Sequence, residues 1–232
     1  MGALIESTGI NTDAEGSIAR AIAAGKACLG AVGLEGDDVD VLINVGVYRD
    51  ANMVEPAMAA HIQSGLGMSL DYARKPRAGF SFDLMNGACG VLNAVHVAGA
   101  LLITGAAKRV LIVSGDGHPA KHSDHGDDFP YAGVGGAMLL APGARPGCGF
   151  GRVSRRDGPA GDLGREGFVD LTETGPHGRD HITVRRSPGE IDALLDLATA
   201  TAMDCLDEAG LAGGPALLLA PRLTADFGAR LA

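Results

Sequence analysis

The sequence predicts an α/β protein, a sheet with helices on its faces. Two observations predict it. Helix-spaced apolar segments alternate with short β-branched runs in the order α-β-α-β-α-β-β. The chain is also 46% hydrophobic, ample for a buried core, with 36 glycines for tight turns and close packing.

The elements follow in order. "GSIARAIAAGKACLGAVGL" has apolar residues at helical spacing and ends at Gly33, a C-cap residue. "DVDVLINVGV" is a short buried strand. "EPAMAAHIQSGLG" is a helix with Pro56 in its first turn and Gly65 or Gly67 at its end. "AGFSFDL" is a strand, "CGVLNAVHVAGALLITG" a helix closed by Gly105, and "KRVLIVSGDG" a strand. "YAGVGGAMLLAP" is a further strand entered through glycines; without a following Lys-Ser/Thr it is no phosphate-binding P-loop.

Residues 143–186 are rich in Gly, Arg and Asp and read as strand fragments joined by long loops, a loop-rich insertion or flap. Ile191, Leu194, Leu195, Ala198, Ala202, Cys205, Leu206 and Ala209 then approximate one helix face, ended by Gly210, and "GPALLLAP" reads as a strand. In the helix that follows Cys89, only Asn93 and His96 are strongly polar between Val91 and Ile103. Such a helix is expected to be covered on all sides, by the later helix, another subunit, or both. His96 is read as a core histidine.

Composition excludes several function classes. The net charge of −9, from 19 basic and 28 acidic residues, argues against binding a polyanion. With no Trp and 4% aromatics, the chain lacks a stacking platform, so no nucleic-acid partner is expected. "MGALIESTGINTD" has no basic segment followed by an apolar run, and the longest apolar run is too short and Gly-rich to span a bilayer. A soluble, reducing, cytoplasmic setting without membrane contact is expected.

The four cysteines, Cys28, Cys89, Cys148 and Cys205, form no CxxC pair. Cys28 and Cys205 lie within helical patterns and are read as core. Cys89 differs: it stands between a strand and a long helix. A thiol there meets unpaired backbone N–H groups and the positive end of the helix dipole, which favour thiolate, and a neighbouring N–H can face an oxyanion. Asn86, Gly87 and Ala88 are small enough for a tight elbow. Taken alone, the pattern leaves two roles open: nucleophile, or a small apolar residue in a core.

"HPAKHSDH" offers His118, His122, Asp124 and His125, but in a Pro/Gly/Asp-rich loop without a helical frame, so no metal is expected. Arg152, Arg155 and Arg156 are read as a solvated loop, with contact to a phosphate or an acidic carrier as the functional alternative.

"FSFDLMNGACGVLNAVHVAGALLITGAAKRVLIVSGD" resembles the active-site segment of ketoacyl-ACP synthase III-type enzymes of the thiolase superfamily. That segment is a strand ending in Phe-Asp, a small-residue turn, the nucleophilic Cys, a Gly and a buried helix. "HIQSGLG", "YAGVGGAMLL" and the stretch from Ile182 to Pro221 are similar to further family elements, so the resemblance runs from about Ala19 to Pro221.

The resemblance implies a thiolase-like layered fold. Residues 1–142 correspond to the N-terminal half with the Cys89 elbow, 143–186 to the insertion, and 187–232 to an incomplete second half. It implies that Cys89 takes an acyl group from acyl-CoA or acyl-carrier protein as a thioester. The CoA or phosphopantetheine thioester is then a substrate, and no resident cofactor is expected.

The family's catalytic His would follow "ALLLAP", where this sequence has Arg222, and its Asn and final Gly-rich loop have no counterpart in the residues after it. A second polypeptide supplying them, a different reaction, or lost activity are the alternatives. Glu55 in "MVEPAMAAHIQS" resembles the Glu that serves as general base, from the neighbouring subunit, in non-decarboxylating relatives. The "DYARKPR" stretch departs from that pattern.

The site set is therefore Cys89 and Glu55 as catalytic residues and Asn86 and Arg222 as substrate contacts. A homodimer, or a hetero-oligomer with a homologous subunit, is implied. The rival reading is a non-catalytic partner subunit of a complete relative.

Overall fold

A computed structural model describes residues 2–50, 56–71, 73, 79–119, 132–143, 148–158, 165–169, 182–186, 191–214, 217–220 and 224–232. Five strands form one sheet: β1 (Ala3–Asn11), β2 (Val41–Asn44), β3 (Phe80–Asp83), β4 (Val110–Gly115) and β5 (Gly135–Pro142), in the spatial order β1-β5-β4-β2-β3. The neighbours β4, β2 and edge strand β3 run parallel, while β5 pairs antiparallel with β4 and with β1. This confirms the predicted α/β class.

The sheet divides the core into two layers, and the strand residues alternate between them. Leu42, Leu111, Val113 and Leu139 face one side, where they pack with α1 (Ser17–Gly30) and α2 (Met58–Leu66). Val41, Ile43, Val110, Ile112 and Leu140 face the other, with α3 (Gly90–Ile103). Both faces of β2 and β4 are buried, which is why these strands read as continuous apolar runs rather than alternating ones.

Several expectations change. First, β1 is absent from the sequence reading. It lies at a sheet edge, its Leu4, Ile5 and Ile10 are exposed, and it carries Glu6, Ser7 and Thr8, so no apolar pattern marks it. Gly9 is the tertiary reason for its place: a Cβ there would lie 2.2 Å from the Ala24 carbonyl oxygen, so α1 presses directly onto the strand. Second, Pro56 precedes the N-cap Ala57 of α2 instead of occupying its first turn, while Gly67 closes that helix in the left-handed region.

Third, among the described residues of its own chain α3 is covered along one stripe only, which leaves another subunit as the cover for its other side. Gly90, Ala94, Ala98 and Leu102, spaced every four residues, are buried with Val95 on one stripe. Val91 (43%), Leu92 (49%) and Ile103 (66%) are exposed, and His96 is exposed too, not a core residue. Fourth, "GPALLLAP" forms no strand over its described residues 217–220; Leu217 and Leu219 are 87% and 86% exposed, with no described strand to pair with them.

The chain forms two compact units, residues 1–150 with 167–184, and residues 151–166 with 185–232. β6 (Arg165–Val169) and β7 (Ile182–Arg186) make a separate two-stranded sheet. The second unit contains α4 (Ile191–Glu208) and α5 (Phe227–Leu231). No residue of α4 is buried, and Cys205 is exposed, which corrects its reading as core. The arginines of the preceding loop pair with α4: Arg156 makes two hydrogen bonds to Asp204, at 2.7 and 2.9 Å, and Arg152 lies 3.6 Å from Glu208.

Candidate active site

The site is built where β2 and β3 end side by side. Asn44 and Asp83 occupy matching register positions, and the Leu84 N–H donates to the Asn44 carbonyl at 2.8 Å, carrying the parallel ladder one residue past β3. The chain then turns through Asn86 and enters a 3₁₀ turn, Gly87–Cys89. Gly87 has φ 49°, a conformation that favours glycine, so the elbow expected from the small residues is formed here. Cys89 is the N-cap residue of α3 and is exposed. Gly90 lies against Val45 and the Leu84 carbonyl, since a Cβ added there would sit about 3.4 Å from both. That contact docks the first turn of α3 on the chain leaving β2.

The thiol stands at the electropositive end of a 14-residue helix, open to solvent. The nearest backbone donor is engaged: the Cys89 N–H donates to the Asn86 carbonyl at 3.0 Å, and the Gly90 N–H donates to the Gly87 carbonyl. In this conformation neither faces an oxyanion position. Asn86, expected as a substrate contact, is exposed, and its Nδ2 donates to Asn93 Oδ1 at 2.8 Å across the start of α3. Glu55 and Arg222 lie outside the described residues, as do His122, Asp124 and His125. Among the described residues no group of three His, Cys, Asp or Glu side chains could hold a metal ion.

Cys28 is the contrasting thiol. It is fully buried, its sulfur lies 3.2 Å from the Ser7 hydroxyl, and burial pushes its pKa up. It is core, as expected. A cleft of about 300 Å³ opens at the C-terminal ends of α1 and α2 among Lys26, Leu29, Leu34, Glu35 and Leu66; no predicted site residue lines it.

Three aspartates that the sequence reading did not single out organise the strand ends. Asp50 accepts from the Ser17 and Ile18 N–H groups at 2.6 and 3.1 Å, capping α1 in place of Gly16, which has no side chain to do so. Asp116 accepts from the Val47 and Tyr48 N–H groups, both at 2.9 Å. Asp83 accepts from the first N–H groups of α2, Met58 at 3.0 Å and Ala59 at 2.8 Å, and from Asn44 Nδ2 at 3.0 Å; Arg49 lies 3.3 Å away as its ion-pair partner. The available signal was an Asp closing an apolar strand, as in "FSFD" and "VSGD". The partners, 24 to 69 residues distant, carried none.

Comparison with known proteins finds relatives of one kind. The chain is 32% identical over 197 residues to the β-ketoacyl-[acyl-carrier-protein] synthase III of Cereibacter sphaeroides, covering 81% of this chain and 56% of that protein. It is 28% identical over 214 residues to the synthase III of Roseiflexus castenholzii, covering 89% and 62%. The chain is thus similar to ketoacyl-ACP synthase III enzymes over most of its own length.

Solved structures share the fold. A priming β-ketosynthase of polyketide biosynthesis superposes with a TM-score of 0.65 at 15% identity, covering 92% of this chain and 71% of that one. OleA of Xanthomonas campestris, solved with lauric acid and lauroyl-CoA, gives 0.59 at 16% identity, covering 90% and 74%. No family model matches the sequence. This synthase III-like chain spans about six-tenths of the length of the curated relatives it matches. Among its described residues no helix is long and apolar enough to cross a membrane.

Proposed function

We propose that the chain is an acyl-transferring, Claisen-condensing enzyme that carries its acyl group on Cys89. The observation that carries this reading is an exposed cysteine at the strand–turn–helix elbow of a synthase III-like chain. The sulfur attacks the thioester carbonyl of acyl-CoA or acyl-carrier protein. A new S–C bond forms, the old C–S bond breaks, and the CoA or phosphopantetheine thiol leaves with a proton. The acyl-thioester is then attacked by an acceptor carbanion, releasing Cys89. Glu55 is the base we assign to that carbanion's formation, and Asn86 and Arg222 are the substrate contacts. The Asn86–Asn93 bond and the Cys89–Asn86 bond both have to be exchanged if Asn86 or the Cys89 N–H is to meet the substrate.

We also assign the apolar surface of α3 (Val91, Leu92) and the half-exposed Phe80 of edge strand β3 to a subunit interface, with a second copy or a homologous chain. Incubation with a panel of acyl-CoAs and acyl-carrier proteins tests the reading by intact-protein mass. The expected result is a gain of one acyl group, abolished in Cys89→Ala. Absence of any adduct, with a co-purifying complete relative whose activity survives Cys89→Ala, would instead establish a non-catalytic partner subunit.

A further inference from the structure

We propose that Asp83 is a positioning residue for Cys89, and that Asn44, Asp83 and Arg49 together clamp the elbow on which the nucleophile stands. The proposal rests on the acyl-transfer reading above for its functional consequence, but its structural part stands apart from it.

The argument starts from the place of β3. It is an edge strand only four residues long, held to the sheet by β2 alone. A strand with one neighbour and so few ladder bonds frays readily at its ends. Its C-terminal end leads directly into the turn that carries Cys89, six residues on. Unless something holds that end, the position of the sulfur is not fixed.

Asp83 supplies the hold from three directions. On the sheet side, Asn44 Nδ2 donates to Asp83 Oδ1 at 3.0 Å, a bond between side chains at matching register positions. Asn44 is fully buried, and its own carboxamide oxygen accepts from the Gly46 N–H at 3.2 Å, so its orientation is set. On the helix side, the two N–H groups of Met58 and Ala59 converge on the two carboxylate oxygens. On the outer side, Arg49 Nη2 reaches Asp83 Oδ2 at 3.3 Å and the Met85 sulfur at 3.9 Å, so one guanidinium spans the step from strand to turn. The pair is largely sheltered, with side-chain exposures of 16% and 9%. A sheltered carboxylate with an amide, a guanidinium and two backbone donors is a rigid node; losing it takes the acceptor from the Met58 and Ala59 N–H groups and cuts the side-chain links from Asn44 and Arg49 to β3.

An elbow of this kind must hold the sulfur within a fraction of an ångström of its productive place for acyl transfer, but not for simple alkylation, which asks only for an exposed thiol. That difference is the test. Asp83→Asn keeps an oxygen for Asn44 and Ala59 while placing an NH₂ against the Met58 and Arg49 donors. Arg49→Gln is the second variant, more remote from the buried ladder.

Two measurements are made on the full chain. Amide hydrogen exchange of the peptide spanning 84–92 should quicken at least fivefold in Asp83→Asn, with the β1 peptide unchanged. Acylation of Cys89 by acyl-CoA should fall about tenfold in Asp83→Asn and about threefold in Arg49→Gln, with iodoacetamide labelling of Cys89 within twofold of wild type.

Unchanged exchange at 84–92 overturns the clamp, whatever the activity. Equal losses of acylation and alkylation overturn the positioning role and leave a burial effect. If the wild-type chain takes no acyl group, the acyl-transfer reading fails, and the exchange experiment alone decides whether the clamp exists. Asp83→Asn that unfolds passes the decision to Arg49→Gln, where an unaltered exchange and acylation rate overturns the proposal.

Discussion

α3, apolar almost all round, and α4, apolar along one face, have different fates. Along α3, one stripe of small and apolar residues finds the β2–β4 surface and is buried completely, and the sheet it joins contains residues such as Leu42, Leu111 and Leu140 with no exposed surface. Along α4, no residue is buried, and the apolar run at 217–220 stays exposed. Periodicity makes a helix amphipathic, but burial needs a second layer to receive the apolar face. Where a sheet is present the face becomes core; where none is described it remains surface, and α4 meets its preceding loop through exposed contacts such as Arg156–Asp204 and Ser154–Glu208.

The sharpest way to break this contrast is truncation on each side of it. Leu111→Ala should cost about 3 kcal/mol, through lost transfer energy and the cavity left behind, whereas Leu195→Ala on half-buried α4 should cost less than about 1 kcal/mol. Urea unfolding followed by far-UV circular dichroism compares the two, and equal costs would remove the distinction.

A Cβ at Gly9 would meet the backbone of α1, which cannot swing aside. Gly9→Ala should therefore cost about 2 kcal/mol in the same unfolding experiment. A neutral result would mean that α1 does not rest on β1.

Removing the remote cap of α1 with Asp50→Ala should cost about 1 kcal/mol, and Asp50→Asn less than that. Hydrogen exchange of the first turn of α1 would localise the loss.

The smallest effect belongs to the second unit. Hydrogen bonds from Arg156 lower the Asp204 pKa below its ordinary 3.8. A carboxyl lowered in the folded chain contributes stability above the unfolded value and loses it as pH falls through the folded value. Acidification below pH 3.8 should thus loosen α4 slightly, and Asp204→Asn should flatten that dependence. The Cα shifts of α4 in an acid titration read it directly, and because both groups are exposed, added salt should diminish the effect.

By itself the sequence determined helices α1 to α4, the central strands β2 and β4, the strand β5 and the place of Cys89 between β3 and α3, but not the short α5. These are set by local periodicity, by β-branched runs and by glycines at turns, all of which act over a few residues. The resemblance around Cys89 likewise belongs to a contiguous segment. Tertiary structure alone decided the rest. β1 joins the sheet because α1 can approach Gly9, not because of its own pattern. Asp50, Asp83 and Asp116 find their donors across long stretches of chain, and no spacing in the sequence announces those bonds. The exposed side of α3 and the engaged N–H of Cys89 are equally invisible in the residue order. Local sequence fixes which face is apolar and where the chain turns; which groups then meet depends on how distant segments pack.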